Sequence, residues 1–354
     1  MNKSFWKNKT VFITGHTGFK GSWLSIWLAK IGCNVIGYSL PSPTTPSLYQ
    51  SSNIEDSITN IEGDIRDLDT LKTSIAKYKP DIVLHMAAQA LVRESYDNPI
   101  ETYMVNVIGT ANVLEAIRGS ESVKVFVGIT TDKCYKKQDG PWGYKETDPL
   151  GGNDPYASSK AGSELVIHSY RKSFFQKQNT AIASVRAGNV IGGGDWAKDR
   201  IIPDAMRAFQ TNKMLHIRNP HAVRPWQFVM EPIRGYLMLA EKLWDNPAGY
   251  EDGWNFGPNE DSSKEVGYIV KFLVNKWDGS TNWKLDTLEN PPEDGFLRLD
   301  SSKARWKLGW KPMIHLDECL EWIVEWYQKQ NNGENILEIT ENQLSRYEAI
   351  CKIQ

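Results

Sequence analysis

The stretch "KTVFITGHTGFKGSWLSIWLAKIG", residues 9–32, decides the fold class of this chain. It opens with a short apolar, β-branched run that is typical of a buried strand, and it closes with a helical pattern that ends at a glycine. Between the two, Gly15, Gly18 and Gly21 are spaced three apart. Where side chains are missing, the backbone can approach a pyrophosphate, whose charge then faces the N-terminus of the helix. The stretch therefore predicts a dinucleotide-binding loop, with a simple tight turn as the alternative.

The first half of the chain continues with strand-like runs that alternate with helical patterns. Strands that alternate with helices and are continuously apolar indicate a parallel sheet covered on both faces. After about residue 190 the pattern becomes irregular and rich in Gly, Pro, Trp and Arg, which suggests a smaller second lobe. We therefore predict an α/β fold in which a doubly wound parallel sheet is joined to a smaller, partly interleaved C-terminal lobe. The predicted strands are 9–14, 34–40, 81–88, 123–130 and 180–190, and the predicted helices are 21–32, 67–80, 99–119 and about 155–175.

The composition of the chain is that of an ordinary globular protein. Its 354 residues include 40% apolar and 24% charged residues, which allows one large domain or two smaller ones. The net charge of -2 gives no basic field for nucleic acid or for an anionic membrane surface. No apolar run suits a signal peptide or a membrane span, and the cysteines have no metal-binding spacing. We therefore expect a cytoplasmic protein without a metal site; its scattered cysteines are Cys33, Cys134, Cys319 and Cys351.

The end of the second predicted strand does not settle which nicotinamide cofactor would bind. An acid that holds an adenosine 2′-hydroxyl is expected there, but Tyr38, Ser39 and Leu40 occupy these positions. No Arg or Lys follows that would favour a 2′-phosphate, so NAD and NADP both stay open at this position. Asp64, in "GDIRD", is assigned to the edge of the adenine.

A carboxylate and an amine follow the predicted strand 123–130, as Asp132 and Lys133 in "VKVFVGITTDKCYKK". Charged residues at a strand end are often only a solvated loop. In a doubly wound sheet, however, ligands bind at the carboxyl ends of the strands, which is where this pair lies. The pair is therefore predicted to take part in chemistry.

Tyr156 and Lys160, in "NDPYASSKAGSE", lie four residues apart on a predicted helix and so share one face. We expect the ammonium to lower the pKa of the phenol by favouring phenolate, and a nicotinamide cation to act in the same direction. A phenolate prepared in this way can accept a proton from a sugar or alcohol hydroxyl while hydride leaves the carbon. Tyr-x-x-x-Lys is common by chance, but its place between two strands of a dinucleotide-binding sheet makes it specific.

The glycine triplet together with Tyr-x-x-x-Lys resembles the extended short-chain dehydrogenase/reductase superfamily, and the resemblance covers nearly the whole chain. It implies a Rossmann domain with NAD as cofactor. It also implies that Asn106, Thr131, Tyr156 and Lys160 form the catalytic tetrad or lie beside it. The cofactor-binding residues that it implies are Gly15, Thr17, Gly18, Phe19, Lys20, Gly21, Asp64, Ile65, Ala87, Ala88, Gln89, Asn106, Tyr156 and Lys160.

The same resemblance implies a domain organisation and an assembly. The NAD-binding domain is expected over residues 1–188, with about 226–258 returning to it, and a sugar-nucleotide-binding lobe over most of 189–354. Helices equivalent to 99–119 and 156–175 pack into a four-helix dimer interface, so we expect a homodimer or a dimer of dimers. Apolar surface for this interface, part of which must face the sheet, is supplied by Val105, Ile108, Val113 and Ile117.

Members of the superfamily that only oxidise, reduce or epimerise a sugar nucleotide need no second acid–base pair, whereas the 4,6-dehydratases do. These enzymes oxidise C4 to a ketone, which acidifies the C5 proton. A base then removes this proton, an acid expels the C6 hydroxyl as water, and the hydride returns to C6. The dTDP-glucose enzymes carry Thr-Asp-Glu at this strand end, whereas this chain has Thr131, Asp132 and Lys133. The resemblance therefore implies Asp132 as the acid and Lys133 as the base, which requires desolvation or nearby positive charge to keep the amine neutral.

The Thr-Asp-Lys triplet is similar to that of the CDP-glucose 4,6-dehydratases, and inverting UDP-N-acetylglucosamine dehydratases carry a like triplet. The segments 151–164, 185–204 and 217–232 match the CDP-glucose enzymes over long stretches. The resemblance implies NAD-dependent conversion of CDP-glucose to CDP-4-keto-6-deoxyglucose plus water, an early step towards the 3,6-dideoxyhexoses of bacterial O-antigen in lipopolysaccharide. The alternatives are another NDP-hexose 4,6-dehydratase, a sugar-nucleotide 4-epimerase and, more remotely, a non-enzymatic NAD(H)-binding regulator.

Arginines in the irregular second half are candidates for the diphosphate of such a substrate, because a planar guanidinium suits phosphate better than an ammonium does. Arg200, Arg218, Arg224 and Arg298 lie in segments rich in Gly, Pro and Trp, where a single arginine is more often a surface residue. By the resemblance, Arg224 and Arg298 match diphosphate-contacting positions and Asn189 matches a substrate-contacting asparagine. The predicted substrate-binding residues are Asn189, Arg200, Arg224 and Arg298.

Overall fold

The computed structural model describes residues 1–138, 140, 142–277, 281–286 and 297–353. Apolar, β-branched runs in the first half form buried strands, as their composition favours. In chain order the strands are β1 (Thr10–Thr14), β2 (Asn34–Ser39), β3 (Thr59–Glu62), β4 (Ile82–His85), β5 (Val125–Ile129), β6 (Ala181–Arg186), β7 (Val190–Ile191), β8 (Leu215–Ile217), β9 (Val223–Pro225), β10 (Gln227–Phe228), β11 (Gly253–Asn255), β12 (Ser263–Glu265) and β13 (Trp283–Leu285).

The central sheet is built from seven parallel strands in the order β11-β6-β5-β4-β1-β2-β3. This order changes direction between β1 and β4, which is where a doubly wound sheet opens a crevice at the carboxyl ends of its strands. The predicted parallel sheet is therefore confirmed. Strand β3 was not predicted, because it has only four residues, "TNIE", and three of them are polar.

The predicted strand 180–190 is wrong beyond Arg186. The chain leaves the central sheet after β6 and passes through Asn189, whose φ of 50° is incompatible with a strand. It then forms β7, which pairs with β10 in a separate two-stranded sheet. The break places Asn189 at the carboxyl end of β6, on the side where ligands bind in such a sheet.

Helices cover both faces of the central sheet. The predicted helix 99–119 is present, but its middle turn, Met104–Ile108, is a π-helix, a form that is frequent at functional sites. In chain order the α-helices are α1 (Lys3–Trp6), α2 (Phe19–Lys30), α3 (Leu48–Ser51), α4 (Leu68–Tyr78), α5 (Val92–Asp97), α6 (Pro99–Tyr103), α7 (Gly109–Arg118), α8 (Pro155–Ser173), α9 (Ile201–Gln210), α10 (Met230–Asp245), α11 (Val266–Lys276), α12 (Ser302–Leu308), α13 (Leu316–Asn331) and α14 (Ile336–Cys351).

After strands β7 to β10, which belong to the two-stranded sheets, the chain returns to the central sheet through α10 and β11. Helix α10 packs on β5 and β6. All three residues of β11 then pair with the second half of β6. The division of the chain at residue 188 remains a prediction. Among the residues that the structure describes, no helix is long and apolar enough to cross a membrane.

The core lies in two layers on opposite faces of the sheet. The larger layer joins α2 and α10 to the C-terminal helices and contains six fully buried tryptophans. The smaller layer lies under α4, α7 and α8. Both layers hold the carboxyl edge of the sheet rigidly, which is what a site built at strand ends requires. The six tryptophans are Trp6, Trp23, Trp27, Trp254, Trp310 and Trp326.

Candidate active site

The loop between β1 and α2 forms a backbone cradle in which side chains have no room. Gly15 has a φ of 76°, and a Cβ there would lie 2.6 Å from the backbone nitrogen of Ala87. A Cβ on Gly21 would lie 2.2 Å from the carbonyl oxygen of Gly15. Helix α2 begins at Phe19, with Gly18 as its N-cap, so its free N–H groups point into the cradle. The cradle therefore fits the pyrophosphate of a dinucleotide.

Asn106, in the π-helical turn, ties the segment after β4 to α8. Its Oδ1 accepts from the backbone N–H of Gln89 at 2.9 Å. Its Nδ2 donates to the carbonyl oxygen of Gln89 at 3.1 Å and to Oγ of Ser159 at 2.8 Å. Asn106 thus fixes the predicted cofactor-binding segment Ala87–Gln89 beside the helix that carries Tyr156. Its direct contact with a cofactor remains a prediction.

Tyr156 and Lys160 lie one turn apart near the start of α8, as the sequence predicts. The helix begins where it does because Pro155 occupies its first position and the Asp154 side chain accepts from the N–H of Ala157 at 2.8 Å. Nζ of Lys160 donates to the carbonyl oxygen of Ile129, the last residue of β5, at 3.1 Å. The pair is therefore brought to the carboxyl end of β5.

The expected lowering of the phenol's pKa is wrong for the protein in this state. Burial raises the pKa of Tyr156 to about 12, and this outweighs the hydrogen bond with Thr131 and the positive charge of Arg200, which both lower it. Burial also lowers the pKa of Lys160 to about 8. Nζ of Lys160 donates to a backbone carbonyl, and the charges that act most on the phenol are those of Asp132, Arg200 and Asp154.

Asp132 is a buried carboxylic acid at the first position of a 3₁₀ turn, Asp132–Cys134, that follows β5. Its Oδ1 accepts from the hydroxyl of Thr131 at 3.0 Å, and its Oδ2 has no hydrogen-bond partner among the described residues. A Cβ on Gly188 would lie 1.8 Å from Oδ2, so the carboxyl packs against a backbone that only glycine permits. Burial raises the pKa of Asp132, which keeps a proton available for donation.

Lys133 is the second residue of the same turn and is half-buried. Its backbone N–H faces Oγ1 of Thr131 at 3.4 Å, and its positive charge acts on the carboxyl of Asp132. Thr131 in turn hydrogen-bonds with the hydroxyl of Tyr156. Thr131 therefore contacts the carboxyl of Asp132, the backbone of Lys133 and the phenol of Tyr156 at one strand end.

Two cations from other elements surround this group. Burial, followed by the charges of Arg200 and Lys160, lowers the pKa of Lys20, in the first turn of α2, to about 8. Arg200 pairs with Asp195 at 3.0 Å, and the negative charge of Asp195 raises the pKa of Arg200. The charge of Arg200 also reaches Tyr156. The phenol is thus acted on by the positive charge of Arg200 and by the negative charges of Asp132 and Asp154.

The other predicted ligand contacts already have partners within the protein. The carboxylate of Asp64 pairs with Arg66, and Ile65 is buried against the first turn of α7. Nη1 of Arg224 donates to the carbonyl oxygen of Val223 on β9. Thr17 hydrogen-bonds with Ser39, and Arg298 pairs with Glu260. The carbonyl oxygen of Asn189 accepts from the backbone N–H of Gln227. The assignments to adenine, diphosphate and sugar remain predictions.

Several residues around the acid–base turn were missed from the sequence. Glu164 lies one turn beyond Lys160 on the same face of α8, and Arg186 is a charge inside an otherwise apolar strand. Both features are visible in the sequence and could have indicated a buried ion pair, which joins them at 2.8 Å. Gly188 and Gln227 gave no comparable signal, because their role depends on where the chain turns after β6.

The family described as GDP-mannose 4,6 dehydratase matches residues 12–323. A CDP-glucose 4,6-dehydratase of Salmonella typhimurium is 49% identical over 352 residues, which are 98% of each chain. A UDP-glucose 4-epimerase of Mycolicibacterium smegmatis is 28% identical over 327 residues, which cover 90% of this chain and 98% of that protein.

A solved structure shares the fold of the whole chain. It is the dTDP-glucose 4,6-dehydratase of Bacillus anthracis in complex with NAD, which superposes with a TM-score of 0.76. The two proteins are 22% identical, and the match covers 93% of this chain and 99% of that one. At this identity the likeness shows the architecture alone.

Proposed function

The chain belongs to the GDP-mannose 4,6 dehydratase family, and from that premise we propose that it is an NAD-dependent hydro-lyase that converts CDP-glucose into CDP-4-keto-6-deoxyglucose and water. The identity of 49% to a CDP-glucose 4,6-dehydratase over nearly the full length of both chains supports the nucleobase and the sugar. The acid–base turn supports the dehydration step.

The glycine cradle, the segment Ala87–Gln89 and the pair of Tyr156 and Lys160 are the residues that would hold NAD. NAD, when bound, accepts a hydride from C4 of the hexose and returns it to C6. Tyr156 accepts the proton of the C4 hydroxyl. A hydrogen bond with Thr131 and the charge of Arg200 both favour the phenolate that this step requires. Thr131 has a single hydroxyl proton, which is donated either to the phenol oxygen or to Oδ1 of Asp132.

The elimination is assigned to the turn that follows β5. In its neutral form the amine of Lys133 removes the proton from C5, and the protonated carboxyl of Asp132 gives its proton to the C6 hydroxyl, which leaves as water. Asp132 suits the second role because burial raises its pKa and keeps it protonated closer to neutral pH. As the hydride adds to C6, Lys133 returns its proton to C5. Tyr156 then holds the proton from the C4 hydroxyl and Asp132 has lost one, so one proton must pass from the phenol to the carboxylate before the next cycle.

One observation favours a dehydratase over an epimerase of the same fold. The Oδ2 atom of Asp132 is buried, has no partner among the described residues and is held against Gly188, beside the amine of Lys133. A 4-epimerase moves a hydride and one proton at C4 and has no use for a second acid and base. The buried carboxyl of Asp132 beside the half-buried Lys133 therefore supports elimination at C5 and C6.

Turnover of CDP-, dTDP-, GDP- and UDP-hexoses with catalytic NAD tests the proposal. We expect CDP-glucose to be converted fastest, with a product that develops the alkaline absorbance of a 4-keto sugar and no net formation of reduced nicotinamide. A C4-epimer as the product, or one reduced nicotinamide per substrate consumed, would replace the dehydratase assignment with an epimerase or a dehydrogenase.

We further infer that the enzyme is a homodimer or a dimer of dimers. Val113 and Ile117 belong to the part of the expected apolar surface that faces the core. Exposed apolar side chains on the same helices support the inference, and a monomer in sedimentation at micromolar concentration would contradict it. These side chains are Ile100 (75% exposed), Met104, Ile108 and Leu165.

We place the enzyme in the cytoplasm, at an early step towards the 3,6-dideoxyhexoses of O-antigen. Its four cysteines are free thiols, which suits a reducing compartment. Loss of the dideoxyhexose from the lipopolysaccharide of a deletion strain, with restoration by the wild-type chain, is the expected result.

A further inference from the structure

A buried cluster of Glu164, Arg186 and Tyr135 lies behind the acid–base turn. We propose that Arg186 and Tyr135 are positioning residues that fix the turn carrying Asp132 and Lys133, so that elimination depends on them more than oxidation at C4 does. The inference rests on the proposed dehydratase function for its catalytic consequence, whereas its structural part stands on the contacts of the cluster alone.

The entry to the turn is held by Glu164. Its Oε1 accepts from the hydroxyl of Thr130, which precedes the turn, at 2.5 Å. Its Oε2 accepts from the hydroxyl of Ser184 at 2.7 Å and from Nη2 of Arg186 at 2.8 Å. Every bond that the carboxylate makes is therefore directed at the end of β5 or at β6, and the carboxylate is one turn along α8 from Lys160.

The exit from the turn is held by Tyr135, which directly follows it. Nη1 of Arg186 donates to the hydroxyl oxygen of Tyr135 at 2.6 Å, and that hydroxyl donates to Oδ1 of Asn255 at 2.7 Å. The guanidinium also lies 4.9 Å from the centre of the Tyr135 ring, a distance suited to cation–π attraction. One guanidinium–carboxylate pair is thus attached to both ends of the segment 130–135.

The pair is charged although it is buried. Burial acts to raise the pKa of Glu164, but the charge of Arg186 and the hydrogen bonds of its three donors hold that pKa below its ordinary value. A buried ion pair adds little stability over an apolar core of the same shape, so its retention here is better explained by the geometry that it imposes. That geometry is the position of the turn.

Oxidation should depend less on this cluster. Tyr156 and Lys160 lie on α8, a helix of 19 residues whose own hydrogen bonds hold them. Asp132 and Lys133 lie on a turn of three residues, which has no such internal support. When the turn is loosened, the proton donor and acceptor of the elimination move while the phenol stays in place.

The experiment compares Tyr135→Phe with Tyr347→Phe. Tyr347 is also fully buried, and its hydroxyl donates to Glu231 at 2.6 Å and accepts from Arg234 at 3.0 Å, but this cluster is remote from the turn. In Tyr135→Phe we expect amide hydrogen exchange of residues 131–136 to become about tenfold faster. In Tyr347→Phe the exchange of this segment should match that of the wild type.

Single turnover of CDP-glucose supplies the catalytic part of the test. Product formation by Tyr135→Phe should slow about 10- to 100-fold, while formation of reduced nicotinamide slows less than about threefold, so that its absorbance accumulates transiently. If Tyr135→Phe equals Tyr347→Phe in both exchange and absorbance, the positioning role is refuted.

Ser184→Ala is the second variant, for use if Tyr135→Phe does not fold. It removes one donor to Glu164 and should shift both readouts in the same direction by a smaller factor; unchanged readouts would refute the role. If the proposed function is wrong, the wild type will form no 4-keto product. The amide hydrogen exchange of Tyr135→Phe and Tyr347→Phe still decides the positioning role in that case.

Discussion

Two buried clusters of the same three residue types occupy different regions of this molecule. One lies behind the acid–base turn at the end of β5. The other joins the start of α10 to α14 and to the segment before α13. The site cluster comprises Glu164, Arg186 and Tyr135, and the lobe cluster comprises Glu231, Arg234 and Tyr347.

The two clusters differ in how the arginine meets the carboxylate. In the site cluster Nη2 of Arg186 donates to Glu164 at 2.8 Å, and the pKa of Glu164 is held below its ordinary value despite its burial. In the lobe cluster Arg234 lies 3.6 Å from Glu231, and burial raises the pKa of that carboxyl. The same residue types thus give a hydrogen-bonded ion pair in one place and, in the other, a carboxyl held mainly by neutral donors.

The largest expected effect comes from a substitution that displaces the acid without touching either cluster. In Gly188→Ala the new methyl group would overlap Oδ2 of Asp132, because a Cβ there lies 1.8 Å from that atom. We expect turnover to fall about 10²–10⁴-fold, the usual loss when a positioned acid is removed. Gly119→Ala is the matched control, since a Cβ on Gly119 meets nothing within 4 Å. Unchanged turnover in Gly188→Ala would show that the turn tolerates displacement.

Arg186→Met and Arg234→Met test whether the two arginines contribute differently to the stability of their clusters. Removing Arg186 leaves the carboxylate of Glu164 buried and unpaired, which should lower the free energy of unfolding by about 3–5 kcal/mol. Removing Arg234 should lower it by about 1–3 kcal/mol, because Glu231 keeps its hydrogen bonds from neutral donors. Urea unfolding of both variants measures the difference, and equal losses would contradict the distinction between the clusters.

The smallest effects are expected from pH. The folded pKa of Glu164 is below its unfolded value, so the stability that it contributes is present above the unfolded pKa and is lost as pH falls through the folded one. The folded pKa of Glu231 is above its unfolded value, so its contribution is present at low pH and is lost as pH rises through the folded pKa.

In Glu164→Gln the free energy of unfolding should therefore fall less steeply as pH drops below the ordinary pKa of a glutamate. In Glu231→Gln it should fall less steeply as pH rises above that pKa. Chemical unfolding over a pH series checks both slopes. Changes of the same sign in the two variants would show that Arg234 dominates its cluster as Arg186 does.

Much of the fold could be predicted from local sequence signals. The glycine loop and the apolar runs that alternate with helical patterns gave the parallel sheet, because backbone space and hydrophobic period are encoded within about twenty residues. The end of β6 could not be predicted, since the chain turns at Asn189 to pair with β10, nearly forty residues later. Strand β3 was missed because pairing with β2, rather than its own composition, makes it a strand.

The sequence indicated which residues lie together at the candidate site, but it did not indicate the pKa values of their side chains. Spacing placed Tyr156 beside Lys160, and the strand end placed Asp132 beside Lys133. The pKa of Tyr156 was misjudged because spacing says nothing about desolvation or about which acceptor Lys160 uses. Arg186 was missed although its charge in an apolar strand is visible in the sequence. Tyr135 was missed because its hydroxyl acts through contacts with Arg186 and Asn255, which are distant in sequence.

The central claim is that Asp132 and Lys133 carry out the elimination after Tyr156 has served the oxidation. Single turnover of CDP-glucose, followed at the absorbance of reduced nicotinamide, tests it most directly. Asp132→Asn and Lys133→Ala should accumulate reduced nicotinamide and a 4-keto-hexose that keeps its C6 oxygen, with product formation slowed about 10²–10⁴-fold. Tyr156→Phe should give neither signal. Turnover by Lys133→Ala within about threefold of the wild type would contradict the claim, because a general base cannot be removed at so small a loss.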